Sequence, residues 1–226
     1  MYHLLDNPVF NALSSGDSHL AFGTNDVKFF EKEVSPFAGF SGEYKNGFGD
    51  LHQLLPVGRN VLYATRKKIT EPHGWKLITV IDGTQFIFDS KNEIVKKKIE
   101  LVPLDSRHAQ EMVELAALTK PGPFDMRTIE FGNYFGIFEN GKLVSMTGQR
   151  LHVYNFTEVS AVCTHPQYLG KGYAGILLDH QLDLIINNGQ HPFLHVRSDN
   201  DRAISLYERI GFRSNGPMNF YFLKRL

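Results

Sequence analysis

The chain has a single cysteine, Cys163, so no disulfide can close within it, and a reducing compartment, the cytoplasm, is the expectation. An excess of either charge is missing too: 24 Lys and Arg stand against 24 Asp and Glu. The balance is local as well as global, with 12 basic and 11 acidic side chains in residues 1–98 and 12 and 13 in the rest. Nucleic-acid binding draws on excess positive charge, so it is disfavoured. The cluster Lys96-Lys97-Lys98 reads as a solvated linker face. No apolar run nears the roughly 20 residues of a membrane span. The N-terminal "MYHLLDNPVF" lacks the basic-then-apolar order of a signal peptide. The expectation is a cytoplasmic protein with neither a membrane nor a nucleic-acid partner.

Apolar residues make up 42% of the 226, enough for a sizeable core in one large domain or two small ones. Residues 1–98 read as short strands joined by glycine-rich loops. "NVLYA", "WKLITVID" and "GTQFIFD" are strand-like, and Asp50 is a cap for a short helix ending before Pro56. From residue 99 the texture alternates. "IELVPL" reads as a strand, Asp105 or Ser106 caps a helix over "AQEMVELAALT", and "MRTIEFGNY" suggests a second helix. "YFGIFENGKLVSMTGQRLHV" reads as a hairpin, because Asn140-Gly141 suits a type I′ turn. Then come the strand "FTEVSAVCT", a helix from about Gly172 to Asn188, the strand "PFLHVR", the helix "DRAISLYERI" and the strand "NFYFLKRL". Ala174, Leu177, Leu178, Gln181, Leu184 and Ile185 are expected on the buried face of the longest helix. This order gives an α/β (α+β) fold.

"THPQYLGKGYAG" places Gly170, Gly172 and Gly175 where a strand turns into that helix. A helix N-terminus presents unpaired N–H groups and partial positive charge, and glycines let an anion approach them, so the stretch suits a phosphate cradle. It matches the glycine spacing of a dinucleotide fingerprint, but Asp179 and Asp183 come too early for the acidic residue, and a hairpin contradicts a parallel sheet. The P-loop pattern is absent.

Gln167-Tyr168-Leu169-Gly170-Lys171-Gly172, followed by Tyr173-Ala174, matches the pattern [Arg/Gln]-x-x-Gly-x-[Gly/Ala]. "EVSAVCTHP" precedes it and "NDRAISLYERIGF" (Asn200 to Phe212) follows. In these three pieces residues 99–226 resemble the GNAT superfamily of acyl-CoA-dependent N-acetyltransferases. With "TKPGPF" and "GKLVSMTGQR", the chain resembles a branch carrying an extra, degenerate N-terminal half, here residues 1–98. The resemblance implies the GNAT fold: a mixed, largely antiparallel sheet flanked by helices, preceded by a smaller related α+β domain. It implies transfer of an acetyl group from acetyl-CoA to a primary amine, small-molecule or peptide, directly within a ternary complex.

The resemblance also implies roles. Backbone amides from Leu169 to Ala174, with Gln167, Lys171 and Tyr173 among them, would hold the coenzyme A pyrophosphate. Val162, Cys163 and Thr164 would lie along the pantetheine, one amide polarising the thioester carbonyl. Tyr207 would be the general acid at the coenzyme sulfur. Asn200 would contact the cofactor, a role compatible with capping its helix. Glu158 is the candidate base, directly or through water, and alternation puts Glu158, Ser160 and Val162 on one face unless a bulge intervenes. Phe124 and Arg127 fall where the acceptor pocket is shaped. Cys163 reads as a packed small residue rather than a nucleophile. His191 and His195 read as structural, and no metal is expected. The alternative reading is a non-catalytic acyl-CoA-binding sensor or assembly module. Monomer and homodimer stay open, as does the acceptor.

Overall fold

The computed structural model describes residues 3–89 and 99–226; the lysine cluster at 96–98 and the 98/99 boundary fall outside them. In chain order the elements are α1 (Pro8–Leu13), β1 (Phe22–Gly23), β2 (Val27–Phe29), β3 (Phe37–Phe40), α2 (Gly47–Leu54), β4 (Asn60–Thr65) and β5 (Trp75–Phe88). There follow β6 (Val102–Pro103), α3 (Ala109–Thr119), β7 (Phe135–Glu139), β8 (Lys142–Val153), β9 (Phe156–Thr164), α4 (Tyr173–Asn187), β10 (His191–Arg197), α5 (Asp201–Ile210) and β11 (Phe212–Arg225). Among the described residues all eleven strands join one sheet, ordered β1-β2-β3-β4-β11-β5-β10-β9-β8-β7-β6. Its pairs are antiparallel except β3–β4 and β9–β10. β5 belongs to the first stretch of sequence yet lies between β11 and β10, so the chain before residue 89 supplies a central strand of the common sheet.

Helices cover both faces. Met112, Leu115 and Ala116 of α3 pack with Val9, Ala12 and Leu13 of α1 over Met146, Ala161 and Cys163. On the opposite face Leu178, Leu182 and Ile185 of α4 and Tyr207 of α5 cover Phe86, Val159 and Leu194. α4 buries Tyr173, Ile176, Leu177, Leu178, Gln181, Leu182 and Ile185. The expected face omitted Ile176 and Leu182 and included Ala174 and Leu184, which are only half-buried; the helix touches two clusters instead of one, so its apolar arc is wider. Leu177, Leu178 and Leu182 have no exposed surface, and each contributes about 1.5–3 kcal/mol. That sum exceeds the roughly 1 kcal/mol that Gly175 costs in the first turn.

Asn140 and Gly141 both have positive φ, 51° and 74°, which closes the β7–β8 hairpin as a primed turn. "WKLITVID" and "GTQFIFD" form one continuous strand. "MRTIEFGNY" yields only a 3₁₀ turn, Thr128–Phe131, because Gly132 and Asn133 adopt φ of 85° and 54° and end it. Asp50 is not the cap of α2; Asn46 holds that position, and Asp50 in the first turn accepts from Tyr44 Oη and Asn46 Nδ2. Among the described residues, no helix is long and apolar enough to cross a membrane.

Candidate active site

The glycine loop answers its own oddity. Gly170 and Gly172 have φ of 84° and 83°, a region where any other residue is strained. Gly172 is the N-cap of α4 and supplies no side-chain cap. Consequently the amides of Gly170, Lys171, Gly172, Tyr173, Ala174 and Gly175 have no acceptor among the described residues, and the first is taken up at Ile176, which donates to Gly172 O at 3.1 Å. No atom lies within 4 Å of a Cβ built on Gly170 or Gly175. Six open N–H groups at a helix N-terminus, approached without side chains in the way, suit anionic oxygens. Around it, Gln167 and Leu169 are exposed. Lys171 lies 4.8 Å from the Tyr168 ring centroid and 3.7 Å from Glu139, which also accepts from Tyr173 Oη.

The strand that feeds this loop parts from its neighbour. β9 and β10 pair in parallel for only three positions, ending at Phe193 opposite Glu158, although β9 continues to Thr164 and β10 to Arg197. β10 stays with β5 as far as Arg197 opposite Gly83. The edge of β9 beyond Glu158 is thus released. Ala161, at φ 52°, makes a bulge where the β8 register slips. Alternation is broken there: Val159 and Val162 both pack toward α4, while Ala161 and Cys163 point at α3. Val162 is therefore on the face opposite Glu158. The carbonyl of Cys163 accepts from Ser145 Oγ at 2.9 Å, and His165 N donates to Val144 O at 2.8 Å. The pleat then turns the polar backbone of Val162 and Thr164 toward the released edge, whereas that of Cys163 is engaged with β8. The Cys163 thiol is pushed by burial up to about 12, so at neutral pH it is not a nucleophile.

Tyr207 lies on α5, 8% exposed, its ring edge-on to Phe212 at 5.9 Å. Its hydroxyl has no hydrogen-bond partner among the described residues, and burial raises its pKa well above the usual phenol range. Asn200 caps α5, its Oδ1 accepting from Ala203 N at 3.2 Å.

Glu158 is wholly buried. Arg150 donates to it through Nε and Nη2, both at 2.8 Å, and His195 Nδ1 lies 2.7 Å away. Burial by itself would raise this carboxyl, but the charge of Arg150 and the bonds from Arg150 and His195 outweigh it and hold the group at about 2. His195 is thus part of the carboxylate's immediate surroundings. Arg150 and His195 carried no signal of this in the sequence, being separated from Glu158 by 8 and 37 positions. Tyr134 was missed likewise: it is 1% exposed, lies on Gly148, and its hydroxyl is buried without a partner among the described residues. Only the glycine at 148, an unusual residue for a strand interior, hinted at a close approach.

Comparison with known proteins bears on the same region. The family model described as FR47-like protein matches residues 134–222. N-alpha-acetyltransferase RimI of Mycobacterium tuberculosis is 33% identical over 94 residues, 40% of this chain and 58% of the relative; the chain thus spans little more than half the length of that curated relative. A crystal structure from Novosphingobium aromaticivorans, assigned to the GNAT family as an acetyltransferase, is 29% identical with a TM-score of 0.91, covering 100% of both chains. The chain has the GNAT fold, and these likenesses support a GNAT acetyltransferase. A GCN5-related N-acetyltransferase from Kribbella flavida, 11% identical, shares the fold at TM-score 0.63 over 98% of this chain and 95% of its own.

On this GNAT scaffold the two residues expected near an acceptor part company. Phe124 lines a groove of about 510 Å³ with Val34, Arg59, Thr128 and Phe222, and its ring meets Tyr134 edge-on at 5.8 Å. Arg127 is exposed and turned to Glu130, 2.6 Å away, and to Glu31. It does not line the groove; it ties the 3₁₀ turn to the segment after β2.

Proposed function

We propose that this GNAT protein moves an acetyl group from acetyl-CoA to a primary amine by direct attack within a ternary complex. One observation carries the reading: six consecutive unpartnered amides, Gly170 to Gly175, open a helix directly beyond the strand whose far edge is released. The residues fit the cosubstrate on both counts. The amides suit the pyrophosphate, with Lys171, Gln167, Leu169, Tyr173 and Ala174 around it, and the free backbone of Val162 and Thr164 suits an amide-bearing arm laid alongside. Acetyl-CoA supplies the thioester and hence the activated carbonyl carbon.

The chain's own residues then order the transfer. Backbone N–H at the released edge polarises the thioester oxygen as negative charge develops. The amine must arrive neutral, although an alkylammonium ordinarily holds its proton up to about 10.4. Glu158 receives that proton's hydrogen bond through water; its low pKa means it passes the proton on to solvent instead of storing it. As nitrogen bonds to carbon and the carbon–sulfur bond breaks, Tyr207, which retains its proton because it is buried, presents its O–H to the departing sulfur. Asn200, already spent on the helix cap through Oδ1, has its amide Nδ2 left for the cofactor. Phe124 offers the acceptor an apolar wall; Arg127 shapes it only indirectly.

The saturation of Glu158 favours one other reading, an acyl-CoA-binding sensor without turnover. Two measurements separate them. Coenzyme A at about 100 times its Kd should add roughly 2.7 kcal/mol to stability. An amine panel read by thiol release should then find turnover; stabilisation without turnover on any amine supports the sensor, and no stabilisation overturns both. The expected setting is the cytoplasm.

A further inference from the structure

The centre at Glu158 reaches into the first stretch of the chain. Gln85 on β5 is the register partner of His195 on β10 and has no exposed surface. Its Oε1 receives Arg66 Nη2 and Asn215 Nδ2, each at 2.7 Å. Its Nε2 lies 2.9 Å from Leu5 O and 2.9 Å from His195 Nε2. A guanidinium has no lone pair to offer and a carbonyl has no proton, so Arg66 and Leu5 decide which end of the amide is which. Gln85 therefore donates to His195 Nε2, which must carry a lone pair. The ring's one proton is left on Nδ1, facing Glu158 Oε1 at 2.7 Å. The His195 side chain is 4% exposed. Besides Gln85 and Glu158, the rings of Phe193 and Phe220 stand edge-on to it at 5.6 and 5.3 Å, with Arg150 beyond the carboxylate.

We infer that Gln85 is a positioning residue that holds His195 as the neutral Nδ1–H tautomer and, through it, sets which lone pair of Glu158 is free. Oε1 takes Arg150 Nη2 and His195 Nδ1; Oε2 takes Arg150 Nε alone. One acceptor direction on Oε2 is all that remains for a water or an amine. The stretch before residue 89 thus completes the proton-handling centre, with the outer end of the chain of contacts anchored where Arg66 meets Asp6 at 2.5 Å. The catalytic consequence rests on the acetyltransferase reading; the tautomer does not.

The test is a long-range ¹H–¹⁵N spectrum of protein labelled at histidine, with the His195 signals assigned by their loss in His195→Gln. The expected parent spectrum shows Nε2 bare and Nδ1 protonated at neutral pH. Gln85→Glu places a group that only accepts against Nε2, so Nε2 should become protonated. In the same variant kcat for thiol release should fall about tenfold while KM for acetyl-CoA stays within about twofold, the signature of lost positioning. A parent spectrum with Nε2 protonated overturns the proposal whether or not any variant folds. So does a Gln85→Glu protein with Nε2 still bare, or one with a switched proton and unchanged kcat. Absence of turnover in the parent on every amine would remove the acetyltransferase reading and leave the tautomer to be judged by the spectrum.

Discussion

Glu158→Gln separates the structural weight of the buried carboxylate from the part in catalysis proposed for it. Holding Glu158 at about 2 against an ordinary 4.5 corresponds, at about 1.4 kcal/mol per pH unit, to roughly 3 kcal/mol of native-state preference for the ionised form. The sign follows from the depressed value. The contribution is complete above pH 4.5, where the unfolded carboxyl is also ionised, and is lost progressively as pH falls toward 2. The variant also strands the Arg150 guanidinium, whose side chain is 12% exposed. Removing one partner of a buried pair typically costs about 3–5 kcal/mol. Urea unfolding at pH 7 should therefore show a loss in that range. Between pH 5 and 2 the parent's stability should fall more steeply than the variant's, by up to one proton's worth. Glu158→Gln should also lower turnover at neutral pH more than at high pH, where the amine is already neutral. A loss under about 1 kcal/mol at pH 7, or identical pH slopes, would refute the argument. The pair Arg150→Met with Glu158→Leu, which removes both charges, should recover part of the stability, the buried His195 Nδ1–H being left without its acceptor, and remain inactive.

Gly175→Ala should stabilise the ligand-free protein by about 0.5–1 kcal/mol, since a helical Cβ there meets nothing within 4 Å; thermal unfolding measures it. Gly170→Ala, forced to keep φ near 84°, should instead cost about 1 kcal/mol and weaken binding of coenzyme A, measurable by calorimetry. Tyr207→Phe should leave the fold and coenzyme A affinity intact and lower kcat by about 10²-fold. Cys163→Ala should retain turnover, with a stability loss of about 1 kcal/mol from the vacated core volume; complete loss of thiol release with coenzyme A still bound would make the thiol a participant.

Local chemistry was legible wherever the deciding neighbours lie close in sequence. The Asn140-Gly141 turn, the start of α4 at the glycine loop and the capping of α5 by Asn200 each depend on a few adjacent residues, and each was read from them. The bulge at Ala161 was not readable, because the extra residue on β9 exists only relative to the register of β8, and it moved Val162 to the face opposite Glu158. Arg127 is a similar case. The family resemblance put it near an acceptor wall, but Glu31, 96 positions away, draws it out to the surface.

The sequence by itself determined the run of open amides at the start of α4. Glycines that tolerate positive φ, followed by an uncapped apolar helix, leave amides open whatever surrounds them, since the effect is confined to one turn of backbone. Only the tertiary structure decided what Glu158 is. Strand pairing brings β8, β9, β10 and β5 side by side, and that juxtaposition encloses the carboxylate between Arg150 and His195 and places Gln85 behind the ring. A charge taken out of water is governed by whatever partners the fold sets against it, and here Arg150, His195 and Gln85 behind the ring come from three strands other than the carboxylate's own.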